Sequence, residues 1–127
     1  MEVSPRGGGN RLAEMLRYAT GVDLVTNAVR AAVGLPTEGV EQKPYNGCWA
    51  EIILHSDTAG VFDRLWIAEE IRSNIVEEDL WIAPGTKVGG FSAANEAVGT
   101  LVLKFETEEQ LQRVMNDVPR YVKVQLK

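Results

Sequence analysis

The residues that could carry out chemistry stand together in Glu2-Val3-Ser4-Pro5-Arg6. Glu2 and Ser4 are two positions apart, so in an extended strand both side chains leave by the same face. Arg6 follows on that face if the strand continues through Pro5. A carboxylate supplies the hard oxygen that Mg²⁺ prefers, and a guanidinium neutralises a phosphoryl group or clamps a carboxylate. The segment therefore predicts a site for a metal ion and a phosphate.

A run of small residues, Gly7, Gly8, Gly9 and Asn10, follows directly and precedes a stretch with helical spacing. Glycines expose backbone N–H groups, and a helix N-terminus favours an anion. These four residues are candidate phosphate-binding residues. The same pattern also fits a solvated glutamate followed by an ordinary glycine-rich turn, and the residue types by themselves leave both interpretations open.

Two helices are predicted to follow within residues 1–36 and to position this segment. The first has apolar residues at helical spacing and ends at Thr20-Gly21. Asp23 is placed to cap the second, which ends before Gly34 and Pro36. The apolar positions are Leu12, Met15, Leu16 and Ala19 in the first helix, and Val25, Ala28, Val29, Ala32 and Val33 in the second.

The rest of the chain predicts a connector over residues 37–46 and a strand-rich unit over residues 47–127. A turn at 56–60 is expected to join the first two strands as a hairpin. Thr107 is expected to cap a helix that packs Leu111, Val114, Met115 and Val118 inward. The predicted strands are 48–55, 61–68, 77–82, 87–88, 98–105 and 121–126. The spacing alternates between strand and helix periods, which predicts an α+β fold.

Other reactive or aromatic residues are interpreted as structural. Cys48 opens an apolar run and is expected to be a buried thiol, and His55 is expected at the end of a strand without a catalytic partner. A single cysteine and a single histidine do not supply the usual zinc ligands. Trp49, Trp66 and Trp81 are expected in strands as core or interface anchors, and their exposure would indicate a missing covering surface.

Composition narrows the possible partners. The net charge is −5 and the 13 lysines and arginines are scattered, which argues against binding to nucleic acid. No apolar stretch approaches the length of a membrane span, and no secretory signal is evident. A lone cysteine fits a reducing compartment, so we expect a cytoplasmic protein.

Several of these segments resemble the end of the ATP-grasp fold. Residues 2–6 are similar to the Glu-x-Asn-x-Arg strand of that family, and residues 19–24 are similar to its Ala-Thr-Gly-x-Asp turn. Residues 47–127 resemble the small β-rich C-terminal domain, with one helix, of members similar to carbamoyl-phosphate synthase, amino-acid ligases and phosphoribosylglycinamide synthetase. The resemblance implies an α+β chain in which the end of an ATP-grasp lobe, a strand plus two helices, precedes that domain.

The resemblance also implies an activity, the ATP-dependent ligation of a small carboxylate to an amine or ammonia through an acyl-phosphate. Glu2 and position 4 would hold Mg²⁺ against the nucleotide phosphates, and Arg6 would stabilise the phosphorylated intermediate or the substrate carboxylate. Ser4 departs from the family's asparagine, which puts the number of metal ions in doubt. Asn10 would compensate for that change or contact the substrate.

In this family the lysines and glycine-rich lid that hold the nucleotide precede the Glu-x-Asn-x-Arg strand. The chain is therefore expected to be inactive by itself, to bind neither ATP nor Mg²⁺ tightly outside an intact parent, and to have the remainder of that ligase as its partner. A homodimer is also possible. The alternative is a stand-alone dimerising or interaction module in which residues 2–6 are vestigial.

Overall fold

The structure, a computed structural model, describes Gly9 and residues 11–127. The chain divides into two compact units between Gly47 and Cys48. Each unit is built from a different kind of element, since helices form the first and strands dominate the second. The mixed α+β fold agrees with the prediction.

The described part of the first unit contains two helices that lie against each other, α1 (Leu12–Thr20) and α2 (Leu24–Ala32). The predicted break is confirmed, because Gly21 ends α1 with a φ of 77° and donates its N–H to the carbonyl of Arg17. The predicted cap is confirmed as well, because the Asp23 side chain accepts a hydrogen bond from the N–H of Thr26 at 2.8 Å. Residues 37–46 form no helix or strand.

The second unit contains six strands, three α-helices and one short 3-10 helix (Ala94–Glu96). Its strands are β1 (Cys48–Leu54), β2 (Gly60–Ile67), β3 (Ile75–Leu80), β4 (Lys87–Val88), β5 (Gly99–Phe105) and β6 (Val122–Leu126). The predicted helix is α4 (Glu108–Met115), capped by Thr107, which accepts from the N–H of Gln110. Two four-residue helices, α3 (Glu69–Arg72) and α5 (Val118–Tyr121), were not predicted.

The strands form two antiparallel sheets of three strands, in the orders β1-β5-β3 and β4-β2-β6. The predicted hairpin of the first two strands is therefore wrong, since β1 and β2 belong to different sheets. Strand β5 is buried at six of its seven residues, so it takes the central position and pairs with β1 and β3 on its two sides. Ser56 turns the chain from one sheet to the other, because its hydroxyl donates to the carbonyl of Thr58 and accepts from the Thr58 N–H.

One continuous apolar core fills the second unit and joins both sheets to α4. Its fully buried members include Leu101 and Leu103 of β5, Leu54 of β1 and Val114 of α4. A close approach between β5 and β3 needs glycine at position 99, because an added Cβ would lie 2.4 Å from the carbonyl oxygen of Asp79. These contacts pack the two sheets and α4 together.

The three tryptophans differ in their environment. Trp49 and Trp66 are half-buried in β1 and β2. Trp81 follows the end of β3 and is 53% exposed, so the prediction that it lies in a strand is wrong. Its indole N–H donates to Asp79 at 2.9 Å, which holds the ring at the surface. Cys48 was expected to be buried and is half-buried where β1 begins.

Candidate functional site

The predicted metal and phosphate site lies almost entirely outside the described residues. Gly9 is the one member that the structure describes, and it is exposed, with its carbonyl accepting a hydrogen bond from the N–H of Leu12 at 3.3 Å. The roles of the other members stay predictions. Those outside the described residues are Glu2, Ser4, Arg6, Gly7, Gly8 and Asn10.

Helix α1 begins directly after this segment, as the sequence predicts. Arg11 occupies the position before the helix with a φ of 54°, and its side chain makes no hydrogen bond that caps the helix. The Arg11 guanidinium instead lies 4.0 Å from the Glu14 carboxylate in the first turn. A helix N-terminus carries a partial positive charge that favours an anion nearby. The described structure thus places such a terminus two residues after Asn10.

The turn between α1 and α2 is the segment that resembles the Ala-Thr-Gly-x-Asp turn, and its polar groups are paired. The Thr20 hydroxyl donates to the carbonyl of Leu16 at 2.7 Å and accepts from the Val22 N–H at 3.2 Å. Asp23 accepts from both the N–H and the hydroxyl of Thr26, at 2.8 Å and 2.9 Å. These bonds fix the angle at which the second helix leaves the first.

The charge of Asp23 stabilises this turn. The Thr26 backbone N–H lowers the pKa of the Asp23 carboxyl most, followed by the Thr26 hydroxyl and, more weakly, the positive charge of Arg17. The Arg17 guanidinium lies 4.0 Å from the Asp23 carboxylate. Asp23 is therefore ionised at neutral pH and acts as a helix cap, a structural role that its hydrogen bonds already explain.

A second polar arrangement holds the chain that follows α2. The Asn27 side chain donates to the carbonyls of Asp23 and Glu38, at 2.8 Å and 3.0 Å, and accepts from the Glu38 N–H at 2.8 Å. Arg30 donates to the carbonyl of Pro36 at 2.7 Å and pairs with the Glu38 carboxylate. We refer to Asn27, Arg30 and Glu38 as the connector clamp. It fixes the beginning of the connector against one side of α2.

The other side of α2 is apolar and exposed. Leu24, Val25, Val29 and Val33 are between 38% and 66% exposed, and Leu12 of α1 is 60% exposed. Large apolar side chains that cluster on a surface indicate a contact with another body. Among the described residues of the first unit, the buried ones are Val22 and Asn27.

In the second unit, a pocket lies beside the corner that contains His55. Ser56, Asp57, Pro119 and Lys123 are among its lining residues. The Nδ1–H of His55 donates to the Ile53 carbonyl at 2.9 Å, since a carbonyl can only accept. Its Nε2 is 3.7 Å from Asp57, whose side chain is 95% exposed.

This corner offers no nucleophile activated by a base. The Ser56 hydroxyl donates its proton to the Thr58 carbonyl, and the His55 ring packs against Phe91 with 4.3 Å between ring centroids. His55 follows directly after Leu54, the last residue of β1, as the sequence predicts. Within Gly9 and residues 11–127, no three His, Cys, Asp or Glu side chains come together so that they could hold a metal ion.

No protein-family model matches the sequence, and no curated protein matches it either. Solved structures do match its fold. A phosphoribosylglycinamide synthetase from Anaerococcus prevotii matches with a TM-score of 0.68 and 16% identity, over 93% of this chain and 31% of its own. An L-amino acid ligase from Bacillus licheniformis matches with a TM-score of 0.73 and 14% identity, over 94% of this chain and 30% of its own.

Both matched proteins are ATP-grasp enzymes. At this level of identity the comparison establishes the fold, and the chain is similar in fold to a part of ATP-grasp ligases. The chain spans about 30% of the length of the solved structures that it matches. Within the part of the chain that the structure describes, no helix is both long and apolar enough to cross a membrane.

Proposed function

We propose that this chain is the carboxy-terminal segment of an ATP-grasp ligase, which joins a small carboxylate to an amine or ammonia through an acyl-phosphate. The observation that carries the proposal is the asymmetry of the fold matches. They extend over 93% and 94% of this chain but over 31% and 30% of the two ATP-grasp enzymes. A segment that has nearly all of its own fold in common with part of two different ligases is best explained as the corresponding part of a third.

The proposed reaction needs ATP and Mg²⁺, and the candidate residues have the chemistry to hold them. In such a reaction the substrate carboxylate would take the terminal phosphoryl group of ATP with release of ADP, and the amine would then displace phosphate from the acyl-phosphate and lose a proton. Glu2 and Ser4 supply oxygen ligands for Mg²⁺. Arg6 neutralises the negative charge that develops on the transferred group. These roles rest on the residue types and on the family resemblance.

The glycine-rich run is the proposed phosphate cradle. In this proposal the backbone N–H groups of Gly7, Gly8 and Gly9 would bind the nucleotide phosphates, and Asn10 would bind either the metal ion or the substrate. The start of α1 at Leu12 supports it, because the run leads directly into a helix N-terminus. The paired turn fixes the start of α2, and the connector clamp fixes the chain that follows it.

The chain by itself is proposed to be inactive, and its principal partner is the remainder of the parent ligase. The share of about 30% of the matched enzymes supports this, because most of each enzyme has no counterpart in the present chain. The exposed apolar residues of α1 and α2 support it too. A cytoplasmic location, with neither nucleic acid nor a membrane as partner, completes the proposal.

Turnover of ATP by the intact gene product tests the proposal. ADP release is measured with a panel of amino acids and other small carboxylates, each with and without an amine or ammonia. The account expects release that requires both substrates, and none from the 127-residue chain under the same conditions. An intact product that releases no ADP with any pair, or an active 127-residue chain, would contradict it.

The exposed apolar side chains also favour a second candidate, a stand-alone module that pairs with a copy of itself. Such a module would use Leu12, Val25 and Val29 as a dimer contact, and residues 2–6 would have no catalytic role. The molar mass of the 127-residue chain, measured by light scattering over a range of concentrations, separates the two candidates. A stable dimer without affinity for Mg²⁺-nucleotide supports the module, and a monomer supports the ligase segment.

A further inference from the structure

One side of α2 consists entirely of apolar residues that are exposed along the length of the helix. At about 100° per residue, Leu24, Ala28, Ala32, Val25, Val29 and Val33 span roughly half of the helix circumference without a charged or polar interruption. All six are exposed, with Val25 at 51%, Val29 at 60% and Val33 at 66%. We refer to these six residues as the apolar face of α2.

The chain's own connector does not cover this face, because the connector clamp holds it on the opposite side. Asn27 and Arg30 lie on the side of α2 that is turned away from Val25 and Ala32. Their side chains bind the backbone of Pro36 and Glu38. The clamp thus has a geometric consequence beyond the stability of the loop, since it keeps the following segment away from the apolar face.

The described part of the first unit has little core of its own. Val22 and Asn27 are its buried residues, and each of its two helices has nine residues. Isolated helices of that length are marginal in water, because most helical stability in proteins comes from packing an apolar face. Among the described residues α1 packs against α2, and the apolar face remains exposed beside that contact.

The size of the matched enzymes indicates what packs on that face. The fold of this chain accounts for 31% and 30% of the two ATP-grasp chains, so about two thirds of such an enzyme lies outside it. The face carries no charge, and an uncharged aliphatic surface fits a protein interior better than a polar or anionic ligand.

We infer that the apolar face of α2 is the surface by which this chain docks against the remainder of the ATP-grasp ligase within the same polypeptide. The inference rests on the proposed function, and it adds the surface, its residues and the role of the connector clamp in keeping that surface accessible. In the intact ligase Val25 and Val29 become buried, and the amides of α2 become protected from exchange.

Charge placed in the face tests the inference. The double variant Val25→Glu/Val29→Glu is made in the intact gene product and in the 127-residue chain, with Val40→Glu as the matched control because Val40 is also 51% exposed. The melting temperature of the intact product is expected to fall by roughly 5 °C or more in the double variant, since two charges would be buried without partners. The control, and the main transition of the 127-residue chain, are expected to stay unchanged.

A second measurement covers the case in which the double variant does not fold. Amide exchange at Val29 is compared between the unsubstituted intact product and the unsubstituted 127-residue chain, and is expected to be at least about 100-fold slower in the intact product. Equal exchange rates, or an intact product that tolerates the double variant as well as the control, would overturn the inference. So would a dimeric 127-residue chain that the double variant converts to monomer, because the face would then take a second copy.

The failure of the proposed function can be told apart from the failure of this inference. ATP turnover by the unsubstituted intact product tests the proposed ligase reaction. The melting and exchange comparisons test whether the apolar face of α2 is a docking surface, and they need no assay of activity. If the intact product releases no ADP but its α2 amides are protected from exchange, the docking surface is supported and the ligase reaction is contradicted.

Discussion

The side-chain amide of Asn27 pairs with the backbone of Glu38 as a neighbouring strand would. Its Nδ2 donates to the Glu38 carbonyl at 3.0 Å, and its Oδ1 accepts from the Glu38 N–H at 2.8 Å. Asn27 is 8% exposed, so these bonds are largely shielded from water. A single side chain in the middle of α2 thus fixes the path of the chain eleven positions later.

Replacement of Asn27 by alanine is expected to release this segment. The Glu38 N–H loses its acceptor, which costs about 1–3 kcal/mol for a shielded pair. Each 1.4 kcal/mol corresponds to about a tenfold change in an equilibrium constant, so exchange of the Glu38 amide should accelerate by about 10-fold or more. The exposed Asn116→Ala variant is the control and should leave that amide unchanged. Equal Glu38 exchange in both variants would contradict the role of Asn27.

Because of the Asp23 carboxylate, the stability of helix α2 is expected to decrease at acid pH. Its pKa is lowered from the ordinary value of 3.8, chiefly by the backbone N–H of Thr26. The folded state therefore prefers the ionised form. The contribution of the Asp23 carboxylate to the stability of α2 is fully present above pH 3.8, the ordinary pKa of the group. That contribution is lost as the pH falls through the lower pKa of the folded state. A carboxyl ¹³C titration together with the Thr26 amide shift measures both events.

The Asp23→Asn variant is the control for that titration. Asparagine keeps a side-chain acceptor for the Thr26 N–H but does not titrate, and the two residue types cap helices about equally well. The variant should therefore show a Thr26 amide that does not respond to pH in the range where the carboxyl titrates. A variant and a parent that respond identically would show that another group is responsible.

Gly99, the one glycine in strands β1, β3 and β5, is expected not to tolerate a side chain. A Cβ at this position would lie 2.4 Å from the Asp79 carbonyl oxygen and 3.0 Å from the Leu80 Cα. These are backbone atoms of the paired strand, so β3 would have to move away from β5. Gly99→Ala should lower the free energy of unfolding by about 1–3 kcal/mol, measured by chemical denaturation.

The matched control is Gly89→Ala. An added Cβ there meets its nearest atom, the Glu96 Oε1 at the end of a flexible side chain, at 3.5 Å, which is an ordinary contact distance. This variant should unfold within about 0.5 kcal/mol of the unsubstituted chain. A Gly99→Ala variant as stable as the Gly89→Ala variant would mean that the two strands do not approach each other as described.

Local signals explain which elements could be predicted from the sequence. Asp23 and Thr107 mark the beginnings of α2 and α4, and each binds an N–H within three residues of itself. Gly21 ends α1 through a conformation that glycine adopts readily. In all three cases the partner is close in sequence, so residue type and spacing contain the necessary information.

The strand pairing and the contact of Asn27 could not be predicted, because in both cases the interacting residues are distant in sequence. The turn at Ser56 looked like a hairpin, but β1 pairs with β5, whose register places Ile52 opposite Leu101. Sheet partners depend on which apolar faces can be buried together, and a local pattern does not specify that choice. The pairing of Asn27 with Glu38 was missed for the same reason, although a polar residue within an apolar helix was a visible signal. The roles of Glu2 and Arg6 stay predictions.

The most direct test of the central claim is ADP release by the intact gene product after Glu2→Ala and Arg6→Ala, each made at its position in that product. Exposed residues of the same types supply the controls Glu41→Ala and Arg72→Ala. The account predicts that each of the first two changes lowers carboxylate- and amine-dependent ADP release by about 100-fold or more, because Glu2→Ala removes a ligand of Mg²⁺ and Arg6→Ala removes the positive charge that neutralises the transferred phosphoryl group. The controls should keep full turnover. An active product that tolerates both Glu2→Ala and Arg6→Ala would contradict the account and make this segment part of the scaffold.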